Sequence, residues 1–313
     1  MKGVMYHYVR PDDPGLPHFR HLHVEDFARQ LDYFAAHQGF VSRSAWQESL
    51  ALEVPTTPGV LLTFDDGFKD HVTFVLPELE RRGLWGLFYI PTAPLVTGRL
   101  LDVHRIHWLL GRLGGVAVLE ALGALVEDAW HPPEYLAAFR ATTYRRQVND
   151  TATAVVKRTL NYYLDSHHRR EVLDRLMALH CLDEAALAKA LYLDVADLRR
   201  LVAAGMVVGS HTHSHPVLST LPDVQQAHEI QASFAWLEAQ LGALTPKSFC
   251  YPYGGFHTFT PTTEALLEGV GCQFAFNVEP RDIEAADLRR RQAMPRFDCN
   301  AFPFGQCRGV GAP

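Results

Sequence analysis

The chain alternates short apolar runs with longer amphipathic segments over most of its length. Apolar runs of four to eight residues bounded by glycine, proline or polar residues predict buried strands, and apolar residues at helical spacing predict helices. Seven such runs end near Val9, Phe64, Ile90, Ser210, Tyr251, Asn277 and Phe297. Because helical segments separate most of them, we predict parallel strands in an α/β barrel or a doubly wound sheet.

One long stretch interrupts this alternation. Between residues 98 and 192 helical patterns follow one another without a convincing strand, and the regular order resumes with a helix at Val195. We therefore predict that residues 1–97 and 193–313 form two parts of one barrel, with residues 98–192 as a helical insertion or cap.

Two local predictions concern the N-terminal part of the chain. Val4 to Val9 is predicted as the first strand, with His7 inside it, and Pro11 closes it. Ser44 is predicted to cap a short helix that runs to Leu50.

Composition and charge narrow the class of protein. The 313 residues are 48% hydrophobic and 20% charged, as in an ordinary globular protein. A formal net charge of −6 gives no reason to expect nucleic acid as a partner, and no apolar run is long enough for a membrane span. Five cysteines without paired spacing suggest reduced thiols, and the N-terminus lacks an apolar signal core. We therefore expect a cytoplasmic protein.

The first chemical signal is the pair of carboxylates that ends the strand at Phe64. The order Thr63-Phe64-Asp65-Asp66-Gly67 places two acids directly after a buried run. Adjacent strand residues point to opposite sides, so the two carboxylates cannot share one environment. A buried carboxylate needs a cation or a hydrogen-bond donor. The alternative is a simple strand followed by an Asp-Gly turn.

The second signal is a histidine-rich segment at another strand end. His211 and His215 are four residues apart in His-Thr-His-Ser-His-Pro. If the chain turns helically after Ser210, the two imidazoles share a face and can bind one metal ion. Two histidines and one carboxylate with open positions are typical of hydrolytic metal sites. A solvated loop is the alternative.

These segments resemble the leading motifs of the polysaccharide deacetylases with the NodB-homology domain. Thr63 to Gly67, His211 to Pro216 and Phe249 to Gly254 match in order and lie at strand ends. The resemblance implies an irregular (β/α) barrel of about seven parallel strands. It also implies one divalent ion. The type of ligand makes zinc the first candidate, and cobalt, nickel or iron would fit the same ligands.

The same resemblance implies roles for individual residues. Asp66, His211 and His215 would bind the metal, and Asp65 would be the general base. The Tyr253 backbone N–H would stabilise the oxyanion. Thr212 is expected on the substrate side, where it could orient the histidine loop.

Two departures from the family pattern leave roles open. Cys250 stands where the third motif usually carries an arginine, and Arg296 is our candidate to restrain Asp65; a purely structural arginine is the alternative. The family commonly has a late histidine as general acid, but no histidine follows residue 257. His257 is our candidate for that role, with His7 or a water molecule as the alternatives, and His7 is otherwise expected to contact substrate.

The start of the insertion contains a further group of polar residues. Asp102, His104 and His107 lie at helical spacing and are expected to contact substrate. A solvated polar helix face and a second metal site are the alternatives.

The sequence therefore predicts a metal-dependent carbohydrate deacetylase that removes an N-acyl group from a small or carrier-linked amino sugar. The expected setting is polysaccharide or lipopolysaccharide (O-antigen) biosynthesis. The alternatives are a non-catalytic, metal-containing sugar-binding protein and an amidohydrolase that acts on a cyclic ureide. The sequence leaves the oligomeric state open.

Overall fold

The computed structural model describes residues 1–127, 130, 131, 133–140, 143, 149–181 and 183–308. The chain divides into two compact units. Unit 1 comprises Met1–Pro11, His21–Gly98 and Lys189–Arg308, and unit 2 contains Asp12–Arg20 and Arg99–Ala188. The division of the sequence at residues 98 and 192 stays a prediction.

Unit 1 is built on a seven-stranded sheet in which every pairing is parallel. The strands of the chain are β1 Lys2–Tyr6, β2 Val9–Arg10, β3 Leu22–His23, β4 Val60–Phe64, β5 Leu87–Ile90, β6 Val207–Ser210, β7 Ser248–Cys250, β8 Phe274–Phe276 and β9 Phe297–Asp298. Their order in the large sheet is β8-β7-β6-β5-β4-β1-β9, and β2 pairs with β3 separately. The predicted irregular barrel of about seven parallel strands is confirmed.

The two edges of the sheet meet through one short segment. Met294 forms an isolated bridge with Phe276 of β8, and Phe297 pairs with Val4 of β1. The residues between them, including Arg296, therefore lie where the sheet curls round on itself.

Helices follow most strands, as the periodicity predicts. They are α1 Val24–His37, α2 Arg43–Leu52, α3 Leu76–Arg82, α4 Ala93–Thr97, α5 Asp102–Leu113, α6 Gly115–Gly123, α7 Pro133–Arg140, α8 Thr151–Arg158, α9 Ser166–His180, α10 Glu184–Leu191, α11 Val195–Ala203, α12 Asp223–Leu241, α13 Pro261–Gly269 and α14 Ala285–Arg289. The described residues of unit 2 contain helices and no strand. Within the described ranges no single helix is long and apolar enough to cross a bilayer; only the bent pair of α5 and α6 meets that test together.

The sheet is buried on both faces, and alternate residues of β4 show how. Leu62 and Phe64 pack with the helices outside the sheet, whereas Leu61 belongs to an inner cluster with Tyr89 and Phe276. Side chains alternate along a strand, so Thr63 and then Asp65 continue the inward row that Leu61 begins. The fold therefore directs Asp65 into the barrel.

Two local predictions are wrong. The first strand ends at Tyr6 rather than Val9, because the carbonyls of His7 and Tyr8 accept hydrogen bonds from His71 and Leu22 instead of continuing the ladder. His7 therefore lies beyond the strand. The short helix is capped by Ser42, whose Oγ accepts the Ala45 N–H at 3.1 Å from an extended backbone, so Ser44 lies inside the helix.

Candidate metal centre and active site

The two adjacent carboxylates diverge as the strand geometry requires. Asp65 N donates to the Tyr6 carbonyl at 2.9 Å and so keeps the strand register. Asp66 then turns the chain with φ 77°, followed by Gly67 with φ 63°. Both acids are buried. This left-handed turn sends the Asp66 carboxylate towards the histidine segment, away from the environment of Asp65.

Asp66, His211 and His215 converge. The Nε2 atoms of His211 and His215 lie 3.4 and 3.3 Å from the same oxygen, Oδ1 of Asp66. His211 Nδ1–H donates to the Cys250 carbonyl at 2.7 Å, which leaves Nε2 to face the Asp66 carboxylate. One ligand atom from each residue therefore lies within 4.8 Å of the others.

The histidine segment reaches this arrangement by a route that the sequence did not predict. Thr212 and His215 have φ values of 67° and 59°, so the chain makes left-handed turns rather than a helical turn after Ser210. Thr212 Oγ1 accepts the His215 N–H at 2.9 Å and closes the turn. The helical turn on which a shared helix face depended is not formed, because these local hydrogen bonds replace the helical ones.

The three side chains fit a divalent ion. Zinc bonds to nitrogen and oxygen ligands are about 2.0–2.1 Å long, which in a tetrahedron places neighbouring ligand atoms about 3.3–3.4 Å apart. The observed separations of 3.3 and 3.4 Å agree with that edge length. Burial disfavours the charged form of His211, but Cys250 and the nearby carboxylates outweigh it and raise its pKa. The centre therefore favours positive charge.

Arg296 holds the other carboxylate. Its Nη1 and Nη2 donate to Oδ1 and Oδ2 of Asp65 at 2.9 and 2.8 Å, and Nη1 also donates to Thr63 Oγ1 at 2.8 Å. Burial raises the pKa of Asp65, but the charge and hydrogen bonds of Arg296 outweigh it and lower the pKa to about 2. Asp65 is thus a fixed, ionised carboxylate beside the three convergent ligands.

Cys250 completes the surroundings of Asp65. Its thiol donates to Asp65 Oδ2 at 3.4 Å, and Arg296 Nη2 donates to its Sγ at 2.8 Å. Asp65, His211 and Cys250 also bring ligand atoms within 4.8 Å of one another. The guanidinium of Arg296 already donates to Asp65 and to Cys250. Its positive charge disfavours a metal cation at this second group of ligand atoms.

The loop after β7 presents Tyr253 to the centre. Its ring centroid lies 5.0 Å from that of His215, and its φ is 64°. Gly254 follows with φ 61°, and a Cβ there would lie 2.2 Å from Val278. Asn277 Oδ1 accepts the N–H groups of Gly255 and Val278, both at 2.7 Å. Sequence reasoning missed Asn277, although a polar residue directly after a buried strand is the same signal that pointed to Asp65.

The remaining candidates of unit 1 lie as follows. His7 is close enough to Asp65 to help lower its pKa, and its carbonyl is hydrogen-bonded to His71 Nε2 at 2.9 Å. Thr212 is fully buried, with its hydroxyl engaged in the histidine turn, which suits an orienting role. Burial lowers the pKa of His257, and its carbonyl accepts Ser219 Oγ–H at 2.7 Å.

The candidates of unit 2 lie on α5. Asp102 pairs with Arg169 at 3.1 Å, and with Arg105 at 3.7 Å. His104 is buried and His107 is half-buried, with ring centroids 6.1 Å apart. The Asp102 carboxylate is thus engaged within its own unit, and contact of this segment with substrate stays a prediction.

Comparison with known proteins adds family and fold. The family model for polysaccharide deacetylase matches residues 173–275, a range that includes both histidines of the centre and Cys250. No curated protein sequence matches the chain. The fold is similar to Streptococcus pyogenes deacetylase PplD in complex with acetate, with 16% identity, 95% of this chain and 91% of that chain covered, and a TM-score of 0.58.

Two further solved structures share the fold. IcaB from Ammonifex degensii is 19% identical, with 88% of this chain and 82% of that chain covered and a TM-score of 0.50. The deacetylase domain of BpsB from Bordetella bronchiseptica is 14% identical, with 95% of each chain covered and a TM-score of 0.52. The family resemblance stated from the motifs is confirmed.

Proposed function

We propose, from the confirmed resemblance to the polysaccharide deacetylases, that this chain is a metal-dependent deacetylase that hydrolyses the N-acetyl group of an amino sugar. The observation that carries the proposal is the convergence of Asp66, His211 and His215, with both Nε2 atoms at metal-ligand spacing from one Asp66 oxygen, beside an ionised Asp65. A carboxylate beside a metal but held apart from it suits proton transfer.

Asp66, His211 and His215 would hold one divalent ion, and the nitrogen and oxygen ligands make zinc the first candidate. An ion bound there would act as a Lewis acid for the amide carbonyl and for water. Cobalt, nickel and iron fit the same donor set, because geometry and availability rather than ligand type alone select the metal.

Asp65 is proposed as the base that takes the proton of the attacking water. Arg296 fixes its direction and keeps it ionised. Its low pKa makes it a weak base in isolation, so the reaction relies on position more than on proton affinity.

The Tyr253 N–H is proposed to stabilise the developing oxyanion, a contact whose loss typically costs about 3 kcal/mol. Tyr253 has a left-handed backbone, and Asn277 Oδ1 accepts the N–H of Gly255 in the same loop after β7. Both features support a fixed direction for the Tyr253 N–H. His7 is proposed to protonate the leaving amine, because it lies near Asp65; His257 is the second candidate.

The proposed substrate is a small or carrier-linked amino sugar in polysaccharide or lipopolysaccharide biosynthesis in the cytoplasm. The helical insertion is proposed to select it. Replacing His104 and His107 by alanine should then raise KM or change substrate preference while metal content stays the same. Loss of metal would favour a second or shared metal site instead.

The decisive experiment combines metal analysis with product detection. Protein stripped with chelator and reloaded with zinc, cobalt, nickel or iron is assayed for acetate release from N-acetylated amino sugars and nucleotide sugars. We expect one bound ion and metal-dependent acetate release, both lost in His215→Ala. Sugar binding without acetate release would favour the non-catalytic alternative, and turnover only of a cyclic ureide would favour the amidohydrolase. Wild-type protein that binds no metal would exclude the proposal.

A further inference from the structure

A buried carboxylate supports the turn that carries the two histidines of the centre. Glu229 belongs to α12 and is 9% exposed. Its Oε2 accepts the backbone N–H groups of His213 and Ser214 at 2.9 and 2.7 Å, and its Oε1 accepts Ser214 Oγ–H at 2.6 Å. Three donors of one five-residue segment thus converge on a single side chain that lies outside every sequence motif.

The turn needs such support because its backbone is unfavourable by itself. Thr212 and His215 are both non-glycine residues in the left-handed region, at φ 67° and 59°. Such a conformation is unfavourable for a residue with a Cβ and persists only where surrounding contacts determine it. Hydrogen bonds to a charged acceptor are stronger than those to a neutral one, so three of them can offset that cost.

The other contacts of the segment engage its carbonyls, its side chains and the His215 N–H, whereas Glu229 accepts the two N–H groups in its middle. Ala93 N donates to the His213 carbonyl at 2.8 Å, and Thr92 Oγ1 hydrogen-bonds with His213 Nδ1 at 2.8 Å. Thr212 Oγ1 accepts the His215 N–H. The N–H groups of His213 and Ser214, halfway between the two ligand histidines, are both bonded to Glu229.

We propose that Glu229 is a positioning residue for the metal centre: it holds the left-handed turn that brings His211 and His215 to their common distance from Asp66. This inference rests on the metal site of the proposed function. Residues that orient metal ligands typically change metal affinity by about 10–100-fold when they are removed.

The test compares two substitutions of Glu229 with a matched control on the same helix. Glu229→Ala removes all three acceptor contacts. Glu229→Gln keeps one oxygen for the two N–H groups and can donate its amide hydrogen to Ser214 Oγ. Glu238→Ala is the control, since Glu238 also lies on α12 but pairs with Lys247 at 2.8 Å.

Zinc affinity is measured by competition with a chromogenic chelator. We expect Glu229→Ala to weaken zinc binding about 10–100-fold, and Glu229→Gln and Glu238→Ala to stay within about threefold of wild type, because the geometry is retained. Equal affinity of Glu229→Ala and wild type would overturn the proposal. If Glu229→Ala does not fold, Glu229→Asp replaces it, since a side chain one methylene shorter cannot reach all three donors.

A second measurement does not depend on metal. Amide hydrogen exchange of a peptide spanning residues 211–217 is followed in metal-free protein. Exchange should accelerate in Glu229→Ala and not in Glu238→Ala, because the turn loses its buried acceptor. Unchanged exchange would refute the positioning role. If wild-type protein bound no zinc but exchange still accelerated in Glu229→Ala and not in Glu238→Ala, the proposed function would be refuted. The role of Glu229 in holding the turn would remain.

Discussion

Arg296 and Asp65 form an ion pair that is almost completely removed from water, with side chains 1% and 3% exposed. Its geometry is bidentate, at 2.9 and 2.8 Å. Breaking such a pair by removing one partner typically costs about 3–5 kcal/mol, because it leaves an uncompensated buried charge. Arg296→Met should therefore lower the free energy of unfolding of metal-free protein by that amount at pH 7.

The cost should depend on Asp65 rather than on the lost arginine packing. In the double variant Asp65→Asn/Arg296→Met neither member of the pair is charged, so we expect it to be more stable than Arg296→Met and the two substitutions to show a coupling energy of about 0.5–3 kcal/mol. The pair supplies a pH signature as well. With its pKa lowered to about 2, Asp65 contributes stability that is present above about pH 4 and is lost as the pH falls through 2.

In Arg296→Met the effect of ionised Asp65 on stability changes sign, from stabilising to destabilising. Without the guanidinium, we expect burial to outweigh the smaller effects of His211 and His7 and to raise the pKa of Asp65, so the penalty is present at neutral pH and disappears as the carboxyl protonates. The difference in stability between wild type and Arg296→Met should therefore shrink between pH 7 and pH 4. This narrowing separates an electrostatic cost from a cavity, which would not depend on pH.

Urea unfolding in the presence of EDTA, followed by fluorescence at several pH values, measures these quantities. Arg290→Met is the matched control: Arg290 makes a bidentate pair with Glu264 at 2.7 and 3.2 Å, but its side chain is 67% exposed. Exposed pairs contribute about 0.2–1 kcal/mol. A loss in Arg296→Met no larger than in Arg290→Met, or additive effects of Asp65→Asn and Arg296→Met, would refute the reasoning.

Three further predictions concern activity. Asp65→Asn should keep the metal, as measured by elemental analysis, and lose turnover, whereas Asp66→Ala should lose both; the reverse pattern would exchange their roles. His7→Asn should lower kcat more than His257→Asn does, because His7 is close enough to Asp65 to help lower the pKa of that carboxyl; a larger effect at His257 would move the acid role there. Asn277→Ala should lower kcat about 10–100-fold with little change in KM, because a small displacement of a reacting group such as the Tyr253 N–H slows a reaction by about that factor. An unchanged kcat would exclude a catalytic role for the hydrogen bond between Gly255 N–H and Asn277 Oδ1.

Periodicity predicted most elements of unit 1 because it reports local burial. The helix predicted from Val195 to Ala204 is observed as Val195–Ala203, and the polar residues after apolar runs correctly located the strand ends that carry Asp65 and His211. Hydrophobic periodicity and a polar residue directly after an apolar run both depend only on how one short segment packs against the core. Both can therefore be recognised without knowledge of the rest of the chain.

The errors arose where distant residues decide. Whether His211 and His215 share a helix face or a left-handed turn depends on the Glu229 carboxylate, which is 14 or more residues away and carries no local signal. The first strand stops at Tyr6 because His71 and Leu22 take up the next carbonyls. Neither competing partner is visible in a window around the element it changes.

Cys250 stands where the third motif usually carries an arginine, and here too a distant residue, Arg296, decides the outcome. Asp65 needs a cation because it is buried, but nothing requires that cation to come from β7. The segment that bridges β8 and β1 passes close enough for Arg296 to reach both carboxylate oxygens. Its guanidinium also lies 2.8 Å from Cys250 Sγ, so a second arginine at residue 250 would place like charges in one buried volume. A small thiol at residue 250 leaves that volume to Arg296, and the requirement for a charge partner is met from the segment between β8 and β9.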